Sequence, residues 1–558
     1  MKNIVIKLLG VIMLGGMLSS CHKLDVTPTG QLPEAVFPQT EAQYQSIIGP
    51  VYIQLRAAYA LDYFFVQSGS TDESILPAYG SNWYDGGKYM ELHKHTWTKD
   101  NAWLNSVYSY AANLIGICNQ TISLLGSAPE GNIKSGGIAQ VKTVRALGYW
   151  MLLDMFGNVP LDTTYGVTTL HTNASRTEVF NFVESELKAA LPYLSYAAGN
   201  AMYGKANRYV AWTLLAKMYL NAKVYTGTER NNDCIAACDS VINAGGGALY
   251  SLQPRSTYLA QFAPTNGPST TPEFIFAIPF DPTTSTGYLF YARYDLNRNL
   301  GLKYRYAGST VGNWTDPVIG QDAGNGLINS MPSGPRATLP EFWAYFNDTT
   351  DIRNQQWLSG YQYWSDGKPI LIKTTRDKYF KGWAGDATPI TYQLRIDPQI
   401  KMRNDANFDV GDDDSGWNAG VRNIKFLADY NNVTNRNQSN DAPFFRYSDV
   451  LLMKAEAILR GGTATGGQTA LSLVNMVRAQ RTTSAPLGSG ELTLDWLYKE
   501  RCREFAWECW HRNDMIRFDK FEDSYGFKTN KDTYRRIFPI PTNQFAVNGL
   551  LVQNTGYN

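Results

Sequence analysis

Apolar positions recur with helical spacing in two blocks of the chain. In "AQVKTVRALGYWMLLDMFGNVPL", Val144, Leu147, Met151 and Met155 share one face, and Gly157 with Pro160 stops the helix this predicts. In "SRTEVFNFVESELKAALPYL", Ser175 and Glu178 hold capping-box spacing. Val179, Phe182, Val183, Leu187, Ala190 and Leu191 follow as one stripe. Further stripes run through Ala211, Leu214, Leu215, Met218 and Tyr219, and through Ile235, Cys238, Val241 and Ile242. Helical periodicity returns late, in "FFRYSDVLLMKAEAILRGG" and in "GGQTALSLVNMVRAQR", where Ala470, Leu473, Val474 and Val477 align. "LTLDWLYKERCREFAWECWHRNDMIRF" reads as one more helix, with Leu494, Leu497, Tyr498, Phe505 and Cys509 on its apolar face.

Helix–turn–helix units in series, with small residues where helices would touch, predict a mostly α fold: a tetratricopeptide-like helical-repeat scaffold. Between the two blocks the pattern changes. Residues 250–440 are rich in Gly, Pro, Asn, Asp and Thr, with scattered aromatics and short runs such as "EFIFAIPF" that suit strands. A long irregular insertion in a compact protein is usually functional. The expected organisation is residues 1–20 as a signal segment, 21–250 as an N-terminal helical region, 251–440 as a loop-rich insertion carrying part of a ligand face, and 441–558 as a closing helical region.

The first twenty residues stand apart. Lys2 and Lys7 precede an apolar "LLGVIMLGGML" run that is short for a bilayer span and reads as a secretory signal. It ends in "LSSC", which resembles the bacterial lipobox and marks Cys21 for lipidation. Acyl chains there would hold the protein to a membrane at about 0.8 kcal/mol per buried methylene. The remaining cysteines, Cys118, Cys234, Cys238, Cys502 and Cys509, form no disulfide framework or zinc spacing and read as small core residues.

A formal net charge of +1 over 558 residues argues against nucleic acid as a partner. Charged residues make up 18% and aromatics 13%, a balance that leans towards neutral polar ligands. The densest aromatic stretch is "YGSNWYDGGKYMELHKHTW", residues 79–97, whose rings follow no helical or alternating period. An exposed indole or phenol covers the apolar face of a sugar with little rotamer entropy to lose, and nearby carboxylates and amides take the hydroxyls. Trp83 and Tyr84 are therefore candidate stacking platforms, with Asp72 and Asp85 as hydroxyl partners, whereas Tyr89 and Trp97 are expected to pack on the scaffold. In the insertion, Trp314, Asn313 and Tyr291 are the next ligand candidates. Tyr288, Tyr294, Tyr361, Tyr363 and Trp364 are weaker ones, and Asp351 with Arg353 is expected to lock a turn.

Other chemistry is sparse. Glu500, Glu504 and Glu508 lie in a regular row on a helix, with Glu508 and Arg512 spaced to pair on its surface, which is unlike the facing carboxylates of a glycosidase. His93 and His95 lack a third ligand at metal spacing. "DANFDVGDDDSG" offers Asp405, Asn407 and Asp409 as an acidic comb, but its glycine falls one position late and Gly416 stands where a calcium loop needs glutamate. It reads as a solvated acidic loop; no cofactor is expected, with calcium the remaining candidate.

Four segments carry a resemblance to one family. "FFRYSDVLLMKAEAILRGG", "YKERCREFAWECWHRNDMIRFDKF", "RRIFPIPTNQFAVNGLLVQNTGY" and "RALGYWMLLDMFGNVPL" are similar to motifs of the SusD/RagB family of outer-membrane glycan-binding lipoproteins. Gly549 and Phe545 depart from the family's usual proline and leucine, in the C-terminal tail only. The resemblance implies about four tetratricopeptide-like helix pairs and a loop-rich second half. It also implies a cell-surface position over a SusC-like TonB-dependent β-barrel, and capture of an oligosaccharide without catalysis. In the family the segment equivalent to residues 71–87 lies near the ligand face. A secreted glycoside hydrolase and a helical-repeat adaptor for a protein or peptide are the competing readings.

Overall fold

The computed structural model describes residues 38, 40–287, 294–295, 334–363, 369, 371–427 and 437–557. Cys21, Tyr288, Tyr291, Asn313, Trp314 and Trp364 lie outside these. The fold is mostly α, as the periodicity predicts. Helices α1 (Glu41–Ala57), α2 (Ala102–Gly126), α3 (Asn132–Phe156), α4 (Arg176–Ala190), α5 (Arg208–Leu220) and α6 (Asn231–Ile242) follow one another, each packed against the next.

Local signals set these helices. Asn101 caps α2 by accepting from Trp103 N at 3.0 Å. At α4, Ser175 Oγ accepts from Glu178 N at 3.2 Å and Glu178 Oε2 accepts from Ser175 N at 2.7 Å, a complete capping box. Helix α3 ends at Gly157, whose φ of 71° no branched residue would hold easily. Gly148 lets α3 approach α2: a Cβ there would sit 3.0 Å from Ile115 Cγ1. Val144, Leu147, Met151 and Met155 are all buried, as are Cys118, Cys234, Cys238, Cys502 and Cys509. On α4 the stripe is shifted slightly, because Phe180 is buried and Phe182 only half-buried.

The solenoid continues across the insertion. Helix α6 packs directly on α7 (Tyr447–Leu459), which packs on α8 (Ala470–Ala479), so residues 243–446 loop out and return. The return is sealed by antiparallel pairing of β1 (Phe274–Ile278) with β4 (Ala442–Arg446), Ile278 opposite Ala442. Between them, β2 (Leu371–Thr375) and β3 (Pro389–Gln393) form a hairpin whose connection spans residues 376–388.

The late helix expected over residues 492–518 is two helices, α9 (Leu494–Phe505) and α10 (His511–Arg517). The break places Trp507 at φ 60° and Cys509 at φ 67°, a conformation that side chains disfavour. Tertiary bonds hold it: Trp507 Nε1 donates to Thr338 Oγ1 at 3.1 Å, and Trp507 N donates to Glu73 Oε1.

The carboxylate row is likewise corrected. Glu508 and Arg512 do not pair on a surface. Glu508 is buried and accepts from Lys425 and from Arg446 Nε at 2.7 Å, while Arg512 donates to Arg536 O. Glu504 accepts from Arg353 Nη1 at 3.0 Å, Arg446 Nη1 at 2.8 Å and Arg481 Nη2 at 3.0 Å. Glu273 joins through Arg481 and Arg446, and Glu500 through Arg353. Burial alone would raise the Glu504 carboxyl, but Arg481, Arg446 and Arg353 hold it well below the usual range. Asp351 and Arg353 lock their turn as expected, Nη2 to Oδ2 at 2.6 Å. A second buried lattice, Lys217–Asp449–Arg501–Asp514–Arg517–Glu456, ties α5, α7, α9 and α10 together.

Candidate functional site

The opening aromatic stretch divides between core and surface. Tyr89 and Trp97 are buried, as the expectation had it; Trp97 donates to the Tyr557 hydroxyl at 2.9 Å. His95 Nε2 lies 2.9 Å from Ser70 O, and His93 packs between Phe408 and Tyr525, both imidazoles being buried structural groups. Residues 79–85 form a tight loop. Tyr79 N donates to Asn82 O at 2.8 Å, and the Tyr79 ring stacks on Trp417 at 3.9 Å between centroids, 11° between planes. Gly80 is required at its position: φ is +59°, and a Cβ would lie 2.4 Å from Asp412 Cβ.

Trp83 sits at the loop's apex with φ 64°, half-buried, its edge against Tyr294 at 5.6 Å. Left-handed backbone at a bulky residue stores roughly 1–3 kcal/mol and is characteristic of ligand-handling segments. Tyr84 is half-buried beside it. Asp85 is exposed and meets Lys88 at 3.3 Å. Asp72 lies elsewhere. It is 6% exposed, and its Oδ1 is 2.5 Å from His511 Nε2, with Cys502 Sγ 3.7 Å from the other ring nitrogen. That Cys–His–Asp order suggests a nucleophile, yet Cys502 is buried, and burial raises its thiol despite His511.

A second group of rings stands next to the first. At the tip of the β2–β3 hairpin, Phe380 is 37% and Trp383 43% exposed. Tyr379 stacks behind Trp383 at 6.1 Å and meets Tyr392 edge-on at 4.6 Å. The Arg403 guanidinium covers Phe380 at 4.7 Å.

The acidic run 412–414 joins the two groups. Asp412 Oδ1 accepts from Trp417 Nε1 at 3.0 Å beneath the Gly80 turn, and its other oxygen is 4.0 Å from Lys381 Nζ. Asp413 caps residues 414–417, accepts from Lys381 N at 2.9 Å and pairs with Arg403. Asp414 accepts from the Tyr392 hydroxyl at 2.9 Å. Asp405 and Asn407 are exposed, as a solvated loop has it, but residues 412–414 of the same loop are a joint, with Asp413 buried. Asp409 Oδ1 likewise accepts from Gly80 N and Gly411 N, at 2.8 and 2.7 Å. Among the described residues no group of three or more His, Cys, Asp or Glu could hold a metal ion.

The arrangement offers indole and phenyl faces to solvent, fixed from behind, with the Asp85 carboxylate and the Lys381 and Arg376 cations around them. It can stack on flat apolar faces and exchange hydrogen bonds with hydroxyls. Sequence reasoning missed Phe380 and Trp383. "KYFKGWAGD" carries the signal that singled out residues 79–97, rings without period among glycines, in a shorter span. Tyr361 and Tyr363 are exposed, and Tyr294 is buried against Phe65 at 4.9 Å.

The SusD family profile matches residues 215–557. The starch-binding protein SusD of Bacteroides thetaiotaomicron is 26% identical over 439 residues, 75% of this chain and 72% of that protein. SusD-like protein P25 of Formosa agariphila is 23% identical over 437 residues, with the same coverage of 75% and 72%. Among solved structures, a laminarin binding SusD-like protein superposes with a TM-score of 0.65 at 19% identity, covering 93% of this chain and all of that one. Surface glycan-binding protein A of B. thetaiotaomicron, in complex with laminarihexaose, gives 0.65 at 17% identity over 92% and 100%. With most of its length under that profile, the chain belongs to the SusD family.

Proposed function

We propose that this protein is a cell-surface lipoprotein that binds an oligosaccharide or polysaccharide and delivers it to a SusC-like TonB-dependent β-barrel, as receptor and lid, without catalysis. The observation that carries the binding role is the pair of joined aromatic loops. Trp83 and Tyr84 on one, and Phe380 and Trp383 on the other, are fixed by the Asp412–Asp414 run, so a chain of sugars can lie across rings that do not have to be ordered first. Starch and laminarin, the ligands in the relatives' names, are neutral glucans, and this surface is suited to neutral polymers. The acids that would serve a hydrolase are instead locked to arginines in the interior, which supports a binder over a glycosidase.

The anchor and the position rest on Cys21 and the lipobox-like "LSSC", which argue for acylation and attachment to the outer membrane facing outward. Among the described residues no helix is long and apolar enough to cross a membrane.

Affinity electrophoresis against starch, laminarin and a panel of plant, fungal and host glycans tests the binding reading. At least one polymer should retard the protein without being degraded, and the double variant Trp83→Ala, Trp383→Ala should run unretarded. Retention that survives the double variant would remove the proposed face. Turnover of a retained polymer would remove the non-catalytic role. Co-purification with the barrel, and loss of membrane attachment in Cys21→Ala, test the rest.

A further inference from the structure

A cavity of about 180 Å³ lies where the insertion leaves the solenoid, between the last turn of α1, the turn at residues 203–205 and the end of β1. Tyr52, Leu55, Arg56, Tyr203, Lys205 and Ile278 line it, and none of Trp83, Tyr84, Phe380 or Trp383 does. Gly204 lets the turn close on the end of β1: its φ is +69°, and a Cβ there would lie 2.6 Å from Pro279 Cγ.

The hydroxyls of the wall are already engaged. The Tyr52 hydroxyl accepts from Ala206 N at 2.9 Å and donates to Gln140 Oε1 at 3.3 Å. Tyr203 donates to Asp441 Oδ2 at 2.8 Å, and Phe280 N donates to the other oxygen at 3.0 Å, so this carboxylate behind the wall is met from two sides. Two cations remain open. Arg56 and Lys205 are both half-buried, and among the described residues neither makes a hydrogen bond or an ion pair. No carboxylate lines the cavity.

Arg56 differs in this from the interior arginines. Burial would lower Arg353, Arg446 and Arg481, but the acids against them outweigh it and all three are raised. Burial lowers Arg56 as well, and no acid offsets it. A desolvated charge without a counter-charge costs free energy that a bound anion returns. The guanidinium fork matches a carboxylate with two parallel bonds, and Lys205 adds a point charge. Leu55, Ala277, Ile278 and Pro279 supply an apolar wall beside them. At about 180 Å³ the space is below the roughly 300–1,000 Å³ of drug-sized ligands, which suits a monomer and not a polymer.

We infer that this cavity is a second binding site, one that takes the carboxylate of a small organic acid onto Arg56 and Lys205, with the body of the ligand against the apolar wall. An anion neutralises the two open cations, which a neutral sugar of the same size cannot do. The carboxylate can come from a uronic acid or from a simple acid. The site is independent of the polymer-binding face and of its assignment.

Isothermal titration of the full mature chain with glucuronate, acetate and glucose tests the inference. Glucuronate should bind and glucose should not. Binding of acetate as well shows that the carboxylate suffices, and its failure beside glucuronate shows that the sugar body is also read. Arg56→Gln should weaken glucuronate at least about tenfold, as expected for a charge-assisted bond, and Lys205→Gln by roughly two- to tenfold. Should Arg56→Gln fail to fold, Lys205→Gln decides. The double variant Trp83→Ala, Trp383→Ala should keep its glucuronate affinity, and Lys205→Gln its polysaccharide retention. No titration by glucuronate, equal titration by glucose and glucuronate, or unaltered glucuronate binding in the folded variants overturns the site.

Discussion

Two regions are dense in residues that sequence reasoning connects with ligands: the carboxylates of residues 500–514 and the rings of residues 79–84 and 379–383. They finish on opposite sides of the protein's surface. Glu500, Glu504 and Glu508 are withdrawn from solvent and bound by Arg353, Arg446, Arg481 and Lys425, which come from four separate stretches of chain. Trp83, Phe380 and Trp383 stay partly in solvent on loops held by short polar bonds. The difference follows from what each group needs. A buried carboxylate is tolerable only where several cations converge, so it becomes a structural joint. A ring tolerates either setting, so its place is decided by the backbone that carries it, and glycine-rich loops keep it outside.

The sharpest way to break this contrast is to remove the central acid. Glu504→Ala leaves three buried arginines short of a partner and should destabilise the protein by about 3–5 kcal/mol, read as a fall in the urea midpoint or as loss of soluble protein. A change below about 1 kcal/mol, the range of the exposed Asp85–Lys88 pair, would mean that the network is no joint.

Glu73 tests the converse, an acid buried without enough partners. Its Oε1 accepts from Trp507 N, but among the described residues Oε2 has no hydrogen-bond partner, and burial raises the carboxyl to about 7. The unfolded chain releases this proton near 4.5, so between 4.5 and 7 the folded state holds more protons and stability falls as pH rises. Asp295, raised by burial to about 7 despite Arg336, titrates in the same window. Glu73→Gln should gain up to about 3 kcal/mol on the wild type from pH 4.5 to 7, measured by denaturation at both pH values. A pH-independent difference would contradict the burial of that carboxyl. Glu504 behaves oppositely, its contribution being present above the ordinary carboxylate range and lost as pH falls through its depressed value.

Gly80→Ala addresses the joint between the loops. Strain at φ +59° and the approach to Asp412 should together destabilise by roughly 1–2 kcal/mol and displace the 79–85 loop, weakening glycan retention with it. Normal retention would mean that the loop's seat on Asp412 is immaterial to binding.

How much was legible follows from the same contrast. Helices with local signals could be read: the Ser175–Glu178 box, the stop at Gly157 and the stripe through Met151 depend on neighbours in sequence. The break between α9 and α10 could not, because no glycine or proline marks it; Trp507 and Cys509 take positive φ only where Glu73 and Thr338, more than a hundred residues away, hold them. Asp72 was read from its neighbours as a hydroxyl partner near Trp83, but His511, distant in sequence, holds it instead. Trp83 was singled out from rings without period among glycines and from the family resemblance of its segment, and it lies half-buried on the 79–85 loop. Phe380 and Trp383 were passed over because only three rings fall in that span, and their proximity to Gly80 depends on Asp412 and Asp413, which a linear reading treats as solvent-facing charge.

The smallest stability effect should accompany the largest loss of binding. Trp383 is 43% exposed, with Tyr379 stacked on it, Phe380 at its edge and Arg376 over its ring, all at the surface, so Trp383→Ala leaves no cavity and should change the unfolding free energy by about 0.5 kcal/mol or less. The same change deletes an apolar face fixed before any ligand arrives, and polymer retention should weaken roughly tenfold, a difference of about 1.4 kcal/mol. Trp97→Ala provides the mirror image: its ring is fully enclosed between His95 and Phe538, so about 3–5 kcal/mol of stability should go while retention by the surviving folded protein is preserved. Parallel denaturation and affinity electrophoresis on the two variants therefore separates rings that build the protein from rings that face its ligand. Equal retention by Trp383→Ala and Trp97→Ala would erase that distinction and return the exposed rings to the scaffold.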